Sequence, residues 1–300
     1  DKMANYDNVW VANGTNTNNN SIDLYFLGYA DGLRLDEISA LPFESISDAY
    51  SEIGSFYGFG HQQAFLGYES YILEPDTNDD ANTTYFSNLA NGTFDQEYIY
   101  ATRGYNGKIT FNAAVQYEDN LFLGLNLNSH LLHYDRSTQL FEDNSNLGSI
   151  INNIDFENTL STIGTGFSFQ LGGILKVTNE FRLGLTYDSP TWYTMEEETT
   201  QYLYTNSDID GPARVNPQIV NIYPSYRLQT PGKITGSLAY VFGDKGLLSF
   251  DYSLKDYGSA KFKPTSDSFF AVQNRVISND LVAASTYRFG AEYRVNQFSF

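Results

Sequence analysis

Residues 227–257 read RLQTPGKITGSLAYVFGDKGLLSFDYSLKDY, and this stretch decides the fold class. Two segments that alternate apolar with small or polar residues flank a turn at Gly243, Asp244 and Lys245. Because successive side chains on a strand point to opposite faces, the stretch predicts a β-hairpin with one apolar and one polar face. Each arm has about ten residues, whereas a strand of a soluble protein has about five or six. That length suits an oblique crossing of a lipid bilayer.

The same alternation recurs on both sides of two other short turns, at residues 118–120 and 178–180, and in a last segment around Phe289. Longer polar segments separate these hairpins, and we expect them to be loops. They are residues 135–158, 196–224 and 259–280. Short turns that alternate with long extracellular loops are typical of outer-membrane barrels. The sequence therefore predicts an all-β fold, a transmembrane antiparallel up-and-down β-barrel, with residues 96–300 supplying about eight strands of a larger barrel.

The alternation also predicts which side chains face lipid and which face the barrel interior. The apolar face would meet hydrocarbon, where an Arg or Lys costs about 2–4 kcal/mol at the midplane. The opposite face carries charged and amide groups, so we expect it to line a polar lumen. The predicted lumen-facing residues are Asn126, Lys176, Arg182, Asp251, Arg288, Glu292 and Arg294.

Aromatic residues near the strand ends predict two belts at the level of the lipid headgroups. The belt beside the short turns comprises Tyr117, Phe181, Phe242 and Tyr293, and the belt nearer to the long loops comprises Trp192, Tyr193 and Tyr257. Such belts favour a membrane barrel over a soluble β-sandwich.

Residues 1–95 lack the alternation, and we expect there a strand end plus an extracellular loop region with short helices. Helical spacing follows an expected N-cap at Ser21 and returns in residues 61–73. Between them, residues 56–60 form a turn rich in glycine and aromatic side chains. These aromatics either pack the loop against itself or form an apolar docking surface for a hydrophobic ligand.

Composition and missing motifs exclude several functions. The formal net charge of −19 argues against nucleic-acid binding, because a phosphate backbone requires a basic surface. The absence of cysteine removes thiolate metal sites and cysteine nucleophiles. No apolar run reaches the roughly eighteen residues of a transmembrane helix, and no nucleophile elbow or phosphate-binding glycine loop is present. We therefore expect no catalytic residues, no enzyme activity and no cofactor.

His130 and His133 form an H-x-x-H pattern that can suggest a metal site. Positions three apart on a strand point to opposite faces, so the two imidazoles cannot share one ion. We therefore predict no metal site at this pair.

Several segments resemble the FadL/TodX family of outer-membrane transport proteins for hydrophobic compounds, in particular its Bacteroidetes-type members. The longest, residues 169–192, reads FQLGGILKVTNEFRLGLTYDSPTW, and residues 230–246 and the Asp-Tyr pairs at Asp251 and Asp256 are also similar. The likeness spans most of residues 20–296 as many short matches. It implies a barrel of about fourteen strands with a small N-terminal hatch. Neither the hatch nor the last strands are found in this sequence, so we expect a fragment of such a barrel.

The resemblance also implies a function, the passive transport of long-chain fatty acids or other hydrophobic small molecules. In that family, extracellular loops capture the molecule, which enters the barrel and leaves sideways through the barrel wall. Passage is driven by the removal of apolar surface from water, which is favourable by about 25 cal/mol per Å². Aromatic side chains of the loop region are the candidate capture residues, with packing alone as the competing role. They are Tyr25, Phe26, Tyr29, Phe56, Tyr57, Phe59, Phe65 and Tyr68.

By the same resemblance we expect a monomer that passes several times through the outer membrane of a Gram-negative bacterium, in contact with membrane lipid and lipopolysaccharide. A general porin or a surface adhesin would share the barrel, but a porin needs an open polar lumen and conducts ions. A third class, a secreted β-domain that binds glycans through Tyr and Trp, would be a monomer in water without detergent. The aromatic loop segment favours the transporter over the porin.

Overall fold

One antiparallel β-sheet dominates the computed structural model, which describes residues 2–207, 211–295 and 298–299. The strands are β1 (Lys2–Asn5), β2 (Asn8–Asn16), β3 (Leu73–Pro75), β4 (Tyr85–Ser87), β5 (Phe94–Tyr117), β6 (Leu121–Asp143), β7 (Ile151–Lys176), β8 (Phe181–Asp188), β9 (Trp192–Ser207), β10 (Gly211–Val215), β11 (Asn221–Gln229), β12 (Lys233–Val241), β13 (Gly246–Asp256), β14 (Lys261–Lys263), β15 (Ala283–Val295) and β16 (Phe298–Ser299). The helices are α1 (Asp23–Ala30), α2 (Ile46–Phe56), α3 (Phe59–Glu69) and α4 (Ser268–Asp280). No helix in these ranges is both long enough and apolar enough to traverse a bilayer.

The 14 strand segments of the main sheet make eight crossings of one curled wall. Fewer crossings than segments result because β1 continues into β2, β8 into β9, β10 and β11 into β12, and β13 into β14, while β16 is only a two-residue segment at the edge. Crossings that are neighbours in sequence are also neighbours in the sheet, and they pair antiparallel. The sheet is an open half-barrel, which confirms the predicted all-β, up-and-down architecture with about eight strands.

Short turns join the crossings at one edge of the sheet, as the sequence predicts. Residues 118–120 join β5 to β6, residues 177–180 join β7 to β8, and a single 3-10 turn at Gly243–Lys245 joins β12 to β13. Gly243 has a φ of +56°, a left-handed conformation that glycine adopts without steric strain. We call the half of the sheet near these turns the lower wall (residues 163–176 on β7) and the other half the upper wall (residues 151–162 on β7).

Two of the three predicted long loops were wrong, because they belong to the strands of the upper wall. Residues 135–158 contain the ends of β6 and β7 and a connection of only residues 144–150, and residues 196–224 contain most of β9, all of β10 and the start of β11. The apolar alternation fades there because the outer face of the upper wall carries Asn, Asp, Glu and Thr instead of Leu and Phe. The third predicted loop, residues 259–280, contains β14 and α4.

The strand register places apolar side chains of successive crossings side by side on the outer face of the lower wall. One such row consists of Tyr117, Leu121, Leu175, Leu183, Leu238, Phe250 and Phe289. On β5 the outward positions from Tyr105 to Tyr117 carry no charge, and Arg103 is the first charged one above them. A strand of roughly this length, tilted by about 45°, spans the ~30 Å hydrocarbon core of a bilayer.

Two adjacent crossings are interrupted at the same height by Pro190, between β8 and β9, and Pro231, between β11 and β12. Proline has no N–H group, so the hydrogen-bond ladder cannot continue through either residue. A hydroxyl group replaces one lost partner, since Ser189 Oγ accepts a hydrogen bond of 2.9 Å from the N–H of Phe169. Pro190 therefore marks a local break in a longer crossing.

The pairing with β7 shifts by one residue across this break. Below it Asp188 lies opposite Gln170, and above it Trp192 lies opposite Phe167. As a result, even-numbered side chains of β8 and odd-numbered side chains of β9 lie on the same, inner face.

Helices α1, α2 and α3 pack on the inner face of the upper wall, and we call them the cap. Phe26 and Phe65 of the cap are fully buried in one apolar cluster with Ile154, Phe156 and Leu203 of the wall. The rings of Phe26 and Phe156 lie 5.3 Å apart. The main dry core of the described residues is therefore between the cap and the wall.

The helices of the cap begin where local chemistry favours them. Ser45 caps α2, because its Oγ accepts a 3.1 Å hydrogen bond from the N–H of Asp48. Gly58, with a φ of +88°, makes the turn between α2 and α3, as the glycine-rich sequence predicts. The predicted N-cap, Ser21, lies one residue before the observed N-cap Ile22; its hydroxyl accepts a 3.4 Å hydrogen bond from the N–H of Asp23, the first residue of α1, and donates to Glu142.

Candidate functional site

A cavity of about 350 Å³ lies between the cap and the inner face of the upper wall. We call it the cap cavity. Its volume is typical of a site for a small molecule. It is lined by Ile22, Tyr25, Phe59, Tyr98, Arg136, Thr138, Leu140, Phe156, Asn158, Thr159, Thr199, Thr200 and Gln201.

Aromatic rings form the end of the cap cavity next to α1 and α3. The ring of Tyr25 lies 6.1 Å from Phe156 and 5.1 Å from Tyr29, and Tyr29 lies 6.0 Å from Phe59. Burial, with Tyr29 close by, raises the pKa of Tyr25 well above its usual range, so its hydroxyl stays protonated and donates to Gln63 at 3.0 Å. This end can surround an apolar group on several sides.

A buried amide network fixes the cap to the wall beside the cavity. Gln63 of α3 and Gln201 of β9 exchange two hydrogen bonds, of 2.7 and 2.9 Å. The hydroxyl of Tyr50 also donates to Gln201 at 2.7 Å, and burial raises the pKa of Tyr50 to about 12. Gln201 in turn donates to Asn158 on β7 at 2.5 Å. Because buried polar groups are costly when unpaired, the network specifies one position for the helices.

The opposite end of the cap cavity is polar and is lined by Arg136. Thr138 lies two residues further along β6, and Thr199 of β9 exchanges a 3.3 Å hydrogen bond with the hydroxyl of Tyr223. Within the ranges that the structure describes, Arg136 has neither an ion pair nor a side-chain hydrogen bond.

Glu142 attaches the start of α1 to the upper wall. Its carboxylate is fully buried and accepts hydrogen bonds from the hydroxyl of Ser21, from the N–H of Ile22 at 3.2 Å and from Gln96 at 2.6 Å. Burial raises the pKa of Glu142, and Asp23 nearby adds to the shift. The position of Ile22 and Tyr25 at the cavity therefore depends on one carboxyl group.

The candidate capture residues lie in four environments. Tyr25 and Phe59 line the cap cavity, Tyr29 and Tyr68 are half-buried, Phe56 and Tyr57 are exposed, and Phe26 and Phe65 are fully buried in the core. Phe56 is 79% exposed and presents an open aromatic ring beside the cavity-forming helices. The ring of Tyr57 stacks on His61 at 4.7 Å.

The residues predicted to face the lumen share the inner face of the lower wall. Asn126 donates to Gln170 at 2.7 Å in a ladder of amide side chains. The register places Lys176 opposite Arg182 and Asp251 opposite Arg288. Arg294 donates to Glu292 at 2.6 Å along the same strand. On the same face Lys233 forms an ion pair of 2.9 Å with Asp188, which sequence reasoning had not singled out.

Sequence reasoning missed most of the wall residues of the cap cavity. Tyr98, Arg136, Phe156 and Gln201 all lie on strands of the upper wall, and the last three fall in segments predicted as loops. Alternation of Ile154, Phe156 and Asn158 with acidic neighbours was the available signal, but it is short. Only the cap side of the site, with Tyr25 and Phe59, was found.

Tyr193 and the two histidines show the effect of register. Tyr193 was wrongly placed in an outer aromatic belt, because the shift at Pro190 turns it inward, 7% exposed and with its ring 5.7 Å from His130. His133 lies on the outer face and contacts Asp135 at 3.1 Å. The prediction that His130 and His133 point to opposite faces is confirmed. Within the described ranges no three His, Asp or Glu side chains are grouped to hold a metal ion.

No family model matches the chain, and no curated protein does. Solved structures similar to it include three channels. The CymD monoaromatic hydrocarbon channel is 14% identical, with 75% of this chain and 68% of that chain covered and a TM-score of 0.38. The Ralstonia pickettii toluene transporter TbuX is 13% identical, with 75% and 69% covered and a TM-score of 0.33. The Pseudomonas putida toluene transporter TodX is 16% identical, with 73% and 55% covered and a TM-score of 0.37. At these TM-scores, function must be inferred from the chain's own surfaces and cavity.

Proposed function

We propose that this chain forms part of the wall of an outer-membrane channel through which hydrophobic small molecules, such as long-chain fatty acids, pass without an energy source. The observation that carries the proposal is the outer face of the lower wall. Its rows of Leu, Phe and Tyr run across neighbouring crossings, while amide and charged side chains occupy the other face. An apolar face outward and a polar face inward is the arrangement of a membrane barrel.

Exposure supports the assignment of this face to lipid. Leu185, Phe289 and Phe111 are 63%, 83% and 79% exposed, and each is part of the same surface. A contiguous apolar surface of this kind is rare on a soluble monomer and is typical of contact with a membrane. We place the chain, as a monomer, in the outer membrane of a Gram-negative bacterium, with lipid and lipopolysaccharide around it.

The cap cavity supports capture of a hydrophobic molecule on the side away from the short turns. Tyr25 and Phe59 of the cap face Phe156 and Tyr98 of the wall around it, and Phe56 and Tyr57 add exposed rings nearby. An apolar molecule that moves from water to such a site gains about 25 cal/mol for each Å² of surface removed from water. No further input of energy is required for its entry.

Uptake by liposomes tests the proposal. Full-length protein is reconstituted into liposomes that contain lipopolysaccharide, and the initial rate of radiolabelled oleate uptake is measured against oleate concentration. We expect a saturable component that empty liposomes of the same composition lack. A rate that never exceeds the rate of empty liposomes overturns the proposal.

A matched pair of variants connects the uptake to the cap cavity. Phe59→Ala removes a ring from the cavity lining, whereas Phe86→Ala removes a similarly exposed ring on β4 outside it. We expect the first variant alone to raise the oleate concentration at half-maximal uptake. Equal effects of the two changes would remove the cavity from the pathway.

A general porin is the second candidate, favoured by the polar inner face of the lower wall. The amides of Asn112, Asn126 and Gln170 form a continuous hydrophilic row there. Such a face suits water and ions. Large, unselective ion conductance in planar bilayers, together with no saturable oleate uptake, would favour this candidate.

A further inference from the structure

Phe43, in the connection before α2, holds its ring entirely in solvent. It occupies the third position of a turn from Leu41 to Glu44, with Pro42 before it and a φ of +71°. Proline followed by a residue of positive φ is the arrangement of a type II turn, whose third position favours Gly or Asn. A phenylalanine in the left-handed region is strained, because its Cβ lies too close to the following carbonyl oxygen.

Hydrogen bonds on both sides fix this turn. The N–H of Glu44 donates to the carbonyl of Leu41 at 3.0 Å, and the carboxylate of Glu44 accepts from the N–H of Leu41 at 2.8 Å. One residue earlier, the N–H of Ala40 donates at 3.1 Å to Glu69, the last residue of α3. Strained backbone persists only where the surroundings over-determine it, and it is concentrated at functional sites. The chain therefore presents the ring of Phe43 to solvent at a cost in free energy.

A second aromatic residue, Tyr71, repeats this arrangement at the end of α3. It follows the C-cap residue Ser70, has a φ of +60° and is 55% exposed. The position after a helix C-cap is usually occupied by glycine, because the chain leaves the helix there through the left-handed region. The side-chain amide of Asn88 donates to the carbonyl of Tyr71 at 2.8 Å and holds it in place. Two aromatic rings thus occupy positions that favour glycine.

Both rings belong to one end of the cap, since the hydrogen bond between Ala40 and Glu69 joins their two segments. Leu41, beside the first ring in sequence, is 63% exposed. We call Leu41, Phe43 and Tyr71 the cap patch. The described lining of the cap cavity includes none of them, so capture of a small molecule there does not explain their exposure. Apolar side chains exposed together mark sites of protein interaction.

The surface around the cap patch is acidic. Arg34 is the only Arg or Lys of residues 31–95, and its guanidinium is already paired with Asp36 at 2.8 Å. Carboxylates recur throughout this segment, and those of Asp48 and Glu74 are exposed. A second copy of the chain would bring the same negative surface, and like charges that face each other oppose association. The complementary surface therefore carries basic side chains around apolar ones.

We propose that the cap patch docks another protein, whose contact surface presents apolar side chains flanked by Lys and Arg. The rings of Phe43 and Tyr71 supply large and rigid contact area, and aromatic residues are enriched at protein interfaces. The carboxylates around them select a basic partner and accelerate its association. This interaction is additional to the uptake of small molecules and does not depend on it.

Three synthetic peptides of equal length test the chemistry of the partner. The first is a helix with one face of leucine and one of lysine, the second has serine in place of the leucines, and the third has glutamate in place of the lysines. Each carries fluorescein and is titrated against the full-length protein in nanodiscs of zwitterionic phospholipid, with empty nanodiscs as the blank. We expect fluorescence anisotropy to show the first peptide binding at least about tenfold tighter than the other two.

Phe43→Gly assigns the binding to the cap patch. The variant loses the ring and gains the residue that a φ of +71° favours, so the midpoint temperature of unfolding should rise while the affinity for the first peptide falls about tenfold. The rise in stability separates docking from a structural role of the ring. Tyr71→Gly should lower the affinity likewise. Phe269→Ala, which removes a 66% exposed ring of α4 outside the cap, should leave it unchanged.

Equal affinities of the wild type and Phe43→Gly for the first peptide would overturn the docking role. A lower midpoint temperature in Phe43→Gly would also overturn it, because the ring would then be part of the core. A dimer that the wild type forms without peptide and that Phe43→Gly loses would make the occupant a second copy and reject the basic partner. Oleate uptake should be the same in Phe43→Gly and the wild type, so the docking role and the proposed function fail independently.

Discussion

The lower and upper walls are halves of the same strands, yet their two faces have exchanged roles. On β7 the lower wall presents Phe169 and Leu171 outward and Gln170 inward. The upper wall presents Asp155 outward and buries Phe156 beneath the cap. The backbone is continuous between them, with the same antiparallel neighbours on one side.

The difference teaches that the surroundings, not the strand, decide which face is apolar. In the membrane placement proposed above, hydrocarbon around the lower wall favours apolar side chains outside and leaves polar ones for the interior. Water around the upper wall favours acids and hydroxyls outside, and the three cap helices provide an apolar partner inside. The boundary on β5 lies between Tyr105 and Arg103, where charged side chains first appear on the outer face.

The largest effect is expected from two phenylalanines on opposite faces of β7. Phe156→Ala opens a cavity in the dry core and should lower the free energy of unfolding of the cap by about 3–5 kcal/mol. Phe167→Ala, on the outer face of the lower wall and 45% exposed, should cost about 1 kcal/mol or less in lipid. The effect of Phe156→Ala is measured by urea unfolding of the cap helices, followed by circular dichroism at 222 nm. Equal costs for both would contradict the exchange of faces.

A second pair of neighbours tests the lower wall alone. Leu125→Arg puts a charge into the apolar band and should destabilise the folded protein in bilayers by about 2–4 kcal/mol. Asn126→Arg, one residue further and on the inner face, should cost much less. Refolding into lipid vesicles, scored by the gel mobility of folded and unfolded forms, compares them. If both variants refold equally well, the outer face does not contact lipid.

A change in the amide network of the upper wall is expected to have an effect of intermediate size on the stability of the cap. Gln201→Ala leaves Gln63, Tyr50 and Asn158 without their shared partner and should destabilise the cap by about 1–3 kcal/mol. Glu198→Ala, an exposed residue on the outer face of the same strand, is the control, and its cost should stay within about 0.5 kcal/mol. Hydrogen exchange of α2 and α3 reports the difference. Unchanged protection of both helices in Gln201→Ala would mean that apolar contacts alone hold the cap.

The smallest expected effect is a pH dependence that originates at Glu142. Its folded-state pKa lies above the ordinary value of 4.5, so the folded cap binds this proton more tightly than the unfolded chain does. The corresponding stability is fully present below about pH 4.5 and is lost as the pH rises through the raised value. The midpoint temperature of unfolding, followed by circular dichroism at 222 nm, should therefore decrease less between pH 4.5 and 7.5 in Glu142→Gln than in the wild type. A larger decrease in the variant would contradict the expected contribution of Glu142 to the pH dependence of stability.

The sequence predicted the lower wall well, because apolar outward and polar inward side chains alternate residue by residue along its strands. Turns, faces and the hairpin of β12 and β13 follow directly from that pattern. The strands of the upper wall were not predicted, because their outer face is as polar as a loop. Their inner apolar residues pack against cap helices that are distant in the sequence, so no local pattern marks them. Tyr25 and Phe59 were predicted as aromatic residues of the loop region that the family resemblance assigns to ligand capture. The placement of Arg136 at the same cavity required the strand register.

The opposed prolines constrain how the chain can change in length. The three residues between β8 and β9 shift the phase of alternation by one, which is why Tyr193 points inward and Trp192 outward. Deletion of one of these residues would turn Tyr193 to the outer face and Trp192 to the inner face. Every other side chain of β9 would change faces in the same way. Insertions or deletions in this connection are therefore tolerable only in steps of two, a parity rule that related chains of different length should obey.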